Sequence, residues 1–280
     1  MIQAFQKDDV LLADIQNHEG REGFRLWWLG QSGFLLQFGE EYVLFDPYLS
    51  DSLTEKYAQT DKPHVRMTER VVAPEKLGFV DIVTSSHNHT DHLDAPTLAP
   101  IFVEPKPRTQ FVLPEANRYF ACERVGINAN IPTGLTGNDN VRVFDFQFHA
   151  IPTAHNALET DENGHHKFLS YVVKFGDFCV YHSGDTLLYD GLIEKLKPFH
   201  IDVALLPING NRPERRVAGN MNGREAAQCA KEIGAKWVIP HHFEMFEFNT
   251  ASPDEFVAQC EKLGQNYRVL RAGERFDFPL

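Results

Sequence analysis

Apolar and polar positions along the first half of the chain fall into short runs with β-strand spacing. Arg25–Trp28, Gly33–Phe38 and Tyr42–Phe45 read as strands, and Gly39-Glu40 between the last two suits a hairpin turn. Val80–Ser85 reads as a buried strand that runs straight into SHNHTDH. Val141–Phe148 alternates apolar and polar residues throughout, which predicts one half-buried strand. Ser170–Phe175 and Phe178–Tyr181 flank Gly176-Asp177, a two-residue hairpin signal. Val203–Leu206 and Trp237–Ile239 are short apolar runs suited to buried strands. Residues 51–79 break the pattern: they are polar, carry Pro63 and Pro74, and predict a surface excursion able to serve as a lid.

The second half adds helical spacing. Asn222 with Glu225 three residues on predicts a capping box, Ala226, Ala227, Ala230 and Ile233 form one apolar face, and Gly234 marks the end. Ser252-Pro253-Asp254-Glu255 predicts a second capping box with proline at the first helical position, and Phe256, Val257, Cys260 and Leu263 supply the inner face. Strands interleaved with helices imply a layered α/β architecture.

Composition narrows the class. Of 280 residues, 42% are hydrophobic, enough for a large core, and the net charge of −12 argues against a nucleic-acid groove, which needs a basic surface. MIQAFQKDDVLLADI lacks the basic-then-apolar pattern of a leader, and no run of about 18 apolar residues is present, so no membrane partner is expected. Cys122, Cys179, Cys229 and Cys260 are scattered without a CxxC pair, which fits buried thiols in a reducing cytoplasm better than a disulfide framework.

The chemistry concentrates after Val80–Ser85. His87, His89, Asp91 and His92 place three imidazoles and a carboxylate within six residues. In a loop leaving a strand, alternate residues can turn toward one point. His87 and His89 can then share one ion, and Asp91 and His92 can reach a neighbouring one. Zn²⁺ and Mn²⁺ accept this mixture of nitrogen and oxygen donors.

HNHTDH resembles the HxHxDH signature of the metallo-β-lactamase superfamily, and the family's other elements follow in order over roughly residues 25–245. VLFDP carries Asp46, IPTAHN carries His155, YHSGDT carries Asp185, and VIPHHF carries His241 and His242. The resemblance implies a four-layer αββα sandwich forming a single domain over residues 1–280. It also implies one or two divalent ions: His87, His89 and His155 on one, Asp91, His92 and His242 on the other, with Asp185 between them. His242 is preferred to its neighbour His241 because it lies two residues after Pro240 and precedes the aromatic Phe243. Asp46 would accept the outer N–H of a ligand histidine, or simply form a turn with Pro47. His182 and His241 are left as packed residues behind the ligands or as proton donors to a leaving group.

LWWLGQSGFLLQFGEEYVLFDPYLS, YHSGDT followed by IDVALLPINGN, and GNMNGREAAQCAKEIGAKWVIPHH resemble the branch that includes L-ascorbate-6-phosphate lactonase. The chain departs from that enzyme, which has aspartate where His155 stands. The branch implies a hydrolase in which a metal-bound hydroxide attacks a small anionic substrate, a lactone or phosphate ester, with Asp91 positioning or deprotonating the water. Arg212, Arg215 and Arg216 follow Val203–Leu206 near Asn209 and Asn211. Arg212 is the expected clamp for the substrate anion, as the guanidinium fork suits, with Asn209 beside it. The alternatives are a phosphodiesterase or nuclease, and a non-catalytic metal-binding protein on the same scaffold. A homo-oligomer is compatible with the sequence, although no interface can be read in it.

Overall fold

The computed structural model describes residues 1–17, 22–103 and 109–279. Two mixed sheets face each other. The first takes β1 (Phe24–Gly30), β2 (Gly33–Phe38), β3 (Glu41–Phe45), β4 (Ile82–Thr84), β5 (Gln110–Pro114) and β6 (Pro132–Leu135) in chain order, with β13 (Arg275–Phe278) on the outside of β1. The second takes β7 (Asn140–Val143), β8 (Phe146–Pro152), β9 (Leu169–Phe175), β10 (Phe178–His182), β11 (Val203–Pro207) and β12 (Trp237–His241), also in chain order.

Strand periodicity explains the layering. Successive side chains of a strand point to opposite faces. Phe24, Leu26 and Trp28 of β1, Phe34 and Leu36 of β2, and Val43 and Phe45 of β3 join the core shared with the second sheet. The residues between them, Trp27, Leu35, Tyr42 and Leu44, join a separate core with Leu11, Ile15, Leu98 and Ala121 of the helices Asp8–Gln16, Ala95–Val103 and Arg118–Val125. The first sheet is therefore apolar on both faces. The second sheet is covered on its outer side by the helices Gly223–Glu232 and Asp254–Leu263, through Ala226, Ala230, Phe256 and Cys260. The order is helix, sheet, sheet, helix: the αββα sandwich expected from the sequence.

Three local expectations change. The alternating run Val141–Phe148 is two strands, not one. The chain reverses at Phe144-Asp145, Val143 pairs with Phe146, and Phe144 takes a φ of +51°. A hairpin of two alternating strands keeps the period through its turn, so alternation alone did not reveal the reversal. The capping box at Asn222 and Glu225 forms in both directions. The one expected at Ser252 does not: the Ser252 hydroxyl donates to Asp254 (2.6 Å), and Glu255 pairs with Arg224 (2.8 Å). The excursion 51–79 is partly ordered as a helix, Ser52–Tyr57, and a 3-10 turn, Pro74–Leu77.

Strand direction sets the site. β3 and β4 are parallel, and so are β10, β11 and β12. β8 runs the same way as β10, because both are antiparallel to β9. The C-terminal ends of β3, β4, β8, β10 and β12 open on one edge of the sandwich, and each is followed within a few residues by a polar residue singled out above: Asp46, His87, His155, Asp185 and His242.

Candidate metal centre

Two sets of donor atoms meet at this edge. One ligand atom each from His87, His89 and His155 lie within 4.8 Å of one another, and so do those of Asp91, His92, Asp185 and His242. Asp185 joins the sets: its Oδ2 lies 3.5 Å from His155 Nε2 and 3.3 Å from His242 Nε2, and its Oδ1 lies 3.2 Å from His92 Nε2. Asp91 Oδ2 is 3.5 Å from His242 Nε2 and 3.7 Å from His92 Nε2.

These spacings fit a divalent cation. A tetrahedral shell at about 2.1 Å places neighbouring ligand atoms about 3.4 Å apart. The buried atoms His87 Nε2, His92 Nε2 and Asp185 Oδ1 have no hydrogen-bond partner. Leaving a buried polar atom unsatisfied costs about 1–3 kcal/mol, and such atoms in both donor sets, His87 in one and His92 with Asp185 in the other, are the pattern of ligands awaiting an ion.

The other ring nitrogens are already engaged, which sets each imidazole's orientation. His155 Nδ1 donates to the Gly219 carbonyl (2.8 Å), His87 Nδ1 meets the Ser86 hydroxyl (2.9 Å), and His92 Nδ1 meets Asp46 Oδ2 (2.7 Å). Asp46 is fully buried, with a φ of +39° just past β3. Its carboxylate also accepts from the Thr84 hydroxyl (3.0 Å), the Ser86 amide (3.0 Å) and the Ser86 hydroxyl. One side chain thus ties the strand before the HxHxDH loop to the loop's last histidine.

Burial, reinforced by neighbouring imidazoles, holds His87 well below the usual histidine range and His89 at about 4. Burial also lowers His155. The same burial acts on His92 and His242, but there Asp185 and Asp91 outweigh it, raising His92 and pushing His242 up to about 9. Burial would raise Asp91 and Asp185, yet the facing imidazoles hold both below the carboxylate range. These shifts favour the protonated form of His92 and His242 beside the two carboxylates.

His182 and His241 lie behind this group, fully buried and stacked ring on ring at 5.4 Å. His182 donates through Nε2 to the Ser32 carbonyl (2.8 Å) and accepts at Nδ1 from the Gly184 amide (3.2 Å). His241 meets the hydroxyls of Ser32 (3.1 Å) and Ser183 (3.3 Å). Burial lowers both, so they are neutral near pH 7, and neither lines the cavity above the donor atoms. Their place is in the packing that supports the Ser183-Gly184-Asp185 turn.

That cavity has a volume of about 460 Å³, with His89, Asp91, His155, Asp185 and His242 at its base. The excursion contributes Lys56, Tyr57, Lys62 and His64 to its wall. Lys62 Nζ donates to the Arg216 carbonyl (2.6 Å), and Arg216 pairs with Asp61, so the excursion meets the 211–218 loop across the mouth. Arg212 is exposed and outside the lining. It precedes the 3-10 turn Pro213–Arg215, which directs Arg215 onto Asn249 and the Asn209 carbonyl and leaves Arg216 at the cavity. Asn209 is buried behind the wall, bonded to Asn220 and Asn249, which do line it. Two residues that the sequence did not mark stand out. Gln31, in the β1–β2 turn, donates to Asp91 Oδ2 (2.8 Å) and lies 3.0 Å from His242 Nε2. Arg124 lines the cavity from the helix Arg118–Val125.

Fold and donor set together define a metallo-β-lactamase-type, metal-dependent hydrolase. Residues 41–243 match the family described as "Beta-lactamase superfamily domain", and the chain belongs to that family. It is 25% identical over 266 residues to a "UPF0173 metal-dependent hydrolase" of Caldivirga maquilingensis, covering 91% of this chain and 98% of that one. It is 24% identical over 295 residues to the "Probable L-ascorbate-6-phosphate lactonase UlaG" of Escherichia coli, covering 92% of this chain and 81% of that one. Among solved structures, the isothiocyanate hydrolase from Delia radicum gut bacteria superposes with a TM-score of 0.72 at 19% identity, over 91% of this chain and 99% of the other. No helix among the described residues is long and apolar enough to cross a membrane.

Proposed function

We propose that the chain hydrolyses a small anionic substrate with two divalent ions: His87, His89 and His155 would hold one and Asp91, His92 and His242 the other, with Asp185 available to both. Zn²⁺ and Mn²⁺ both suit this donor set. The observation that carries the substrate class is the charge of the cavity. Its acidic lining residues are Asp91 and Asp185, both in the donor sets, whereas Lys56, Lys62, Arg124 and Arg216 supply only positive charge to the walls. In a chain of net charge −12 this is a local inversion of sign, and such a cleft concentrates anions. A lactone carrying a phosphate, the substrate type in the name of the Escherichia coli relative, fits that description, as do simple phosphate esters.

Bound divalent ions would supply Lewis-acid polarisation and a water acidified toward neutrality. The protein's part is orientation and proton handling. Asp46, Ser86 and the Gly219 carbonyl hold the outer nitrogens of His92, His87 and His155, so that each presents Nε2 inward. Gln31 fixes the carboxylate of Asp91. Asp91 is the more open of the two carboxylates, with its side chain 16% exposed against 3% for Asp185. It is therefore the group placed to orient the attacking water and take its proton. In Asp91→Asn, metal should be retained at reduced affinity and turnover lost; full activity with full metal would remove Asp91 from the chemistry.

The test of the function is elemental analysis of protein purified without added metal or chelator, beside a His87→Ala, His89→Ala double variant, followed by a panel of phosphorylated lactones, phosphate monoesters and bis-p-nitrophenyl phosphate. Near two equivalents of metal, lost in the variant, with turnover of the lactones or monoesters, is the expected result. Absence of metal after reconstitution with Zn²⁺ or Mn²⁺ would overturn the proposal.

A further inference from the structure

The positive charges around the cavity are not equivalent. Arg216 is exposed and already paired with Asp61. Lys56 is exposed, over the ring of Tyr57. Arg124 is half-buried and held in place. Its Nη1 donates to the Asn88 carbonyl (3.3 Å) and its Nη2 to the Thr90 hydroxyl (2.5 Å). Asn88 and Thr90 are the two residues interleaved with His87, His89 and Asp91, so the guanidinium is fastened to the loop that carries the donor atoms.

Two contacts leave much of the group free. A guanidinium has five N–H donors, and those not spent on Asn88 and Thr90 remain. Its plane lies near the ring of Phe120 (5.7 Å), which also lines the cavity. No carboxylate among the described residues is in ion-pair contact with Arg124. Burial lowers its affinity for its proton, partly offset by the more distant Asp94 and Asp91. A half-buried cation with no carboxylate in contact is unfavourable in a folded protein. One immobilised beside a hydrolytic centre, with donors to spare, is preorganised to bind an anion, because its side-chain entropy is already lost.

We infer that Arg124 is the specificity-determining residue that binds the anionic group of the substrate, a carboxylate or phosphate adjacent to the scissile bond. The inference rests on the hydrolase reading above and assigns its anion site to a position in the HxHxDH loop region, not to the 211–218 loop. Through Thr90 and Asn88, the residue that recognises the anion also touches the loop that holds the metals.

The test compares wild type with Arg124→Gln and Arg124→Lys, all loaded with Zn²⁺ and checked for equal metal content. The substrates are an aryl ester carrying a free carboxylate and the same ester with that carboxylate methylated. The expected result is a loss of tenfold or more in kcat/KM for the charged ester in Arg124→Gln, mostly in KM, partial recovery in Arg124→Lys, and less than twofold change for the methylated ester. An equal loss on both esters would make Arg124 only a brace for the loop, and no loss on either would remove it from the site; both overturn the inference. If the wild type turns over neither ester nor any member of the wider panel, the hydrolase reading fails separately. Inorganic phosphate, titrated calorimetrically into the Zn²⁺-loaded proteins, then decides: a tenfold weaker Kd in Arg124→Gln upholds the anion site, and an unchanged Kd refutes it.

Discussion

Replacing Asp46 with asparagine should weaken metal binding at a residue assigned no contact with the metal. Asparagine is the informative substitution because it tolerates the φ of +39° at this position, where alanine would add backbone strain to the loss of charge. The amide oxygen can still accept from Thr84 and the Ser86 amide. The amide nitrogen would then face His92 Nδ1, where a carboxylate oxygen now sits at 2.7 Å. A donor there favours the tautomer with its proton on Nε2, the atom that must be bare to bind metal. Outer partners of this kind are worth about 10–100-fold in metal affinity, or about 1.4–2.8 kcal/mol. The metal-free protein should lose a further ~1.5–3 kcal/mol, the usual worth of a hydrogen bond to a charged group. The assays are competition with a chromophoric chelator for Zn²⁺ at pH 7.5, and urea unfolding of the metal-free protein. The pH dependence adds a check on sign. Burial opposes ionisation of Asp46, but the bond to His92, the nearby His182 and His92 imidazoles and the Ser86 hydroxyl together outweigh it and keep its carboxyl below the usual value. The stability it contributes is therefore complete above the unfolded value near ~3.9 and is lost as pH falls through the folded one. The gap between wild type and Asp46→Asn should be widest between about pH 4 and 6.5, close in acid below about pH 4, and narrow as pH rises past the unfolded histidine value of ~6.5, because the same bond helps to raise His92. Unchanged Zn²⁺ affinity in Asp46→Asn would refute the tautomer argument.

Other consequences can be checked directly. Because Asp185 and Asp91 raise His92 and push His242 up to about 9, metal binding near pH 7 should displace protons, and the calorimetric enthalpy should vary with the ionisation enthalpy of the buffer; a flat dependence would contradict protonated His92 and His242. Gly184 has a φ of +55°, and a Cβ there would lie 2.6 Å from the Ser86 hydroxyl, so Gly184→Ala should cost about 2 kcal/mol or more and lower metal content, read by thermal unfolding and elemental analysis. Asn222→Ala should destabilise by about 1 kcal/mol in urea, whereas Ser252→Ala, which removes a single long bond from the Asp254 amide (3.3 Å) and no reciprocal box, should cost about 0.5 kcal/mol or less.

The sandwich was legible because its strands are short, apolar and punctuated by hairpin signals, and the donor residues because four of them crowd into six positions. What stayed hidden has specific causes. Arg275–Phe278 is four residues long, too short for periodicity to register, and becomes a strand only by pairing with β1. The turn at Phe144 carries no glycine or asparagine, since an aromatic residue occupies the positive-φ position. Gln31 reaches Asp91 because β1, β2 and β4 share a sheet, and reaches His242 because the two sheets close on each other, bringing together residues 211 apart in sequence. Arg124 sits in a helix whose residues are mixed in character, and no spacing connects it to the loop it braces. Asp46 could be suspected from its aspartate-proline pair at a strand end, but its four hydrogen-bonding groups exist only in three dimensions.

The origins of the seven donor residues have a mechanical consequence. His87, His89, Asp91 and His92 hang from the first sheet, and His155, Asp185 and His242 from the second. Either proposed ion would therefore be a stitch across the sandwich, closing a chain loop of well over 60 residues at its open edge. The four cysteines are all free and buried, so no covalent bond does this. A chelator should then act first as a mechanical release, loosening the edge where the sheets meet while the opposite end of the sandwich, packed around Phe24, Phe38 and Phe175, stays shut. Hydrogen exchange would register this as faster opening confined to the strand ends that carry the donors.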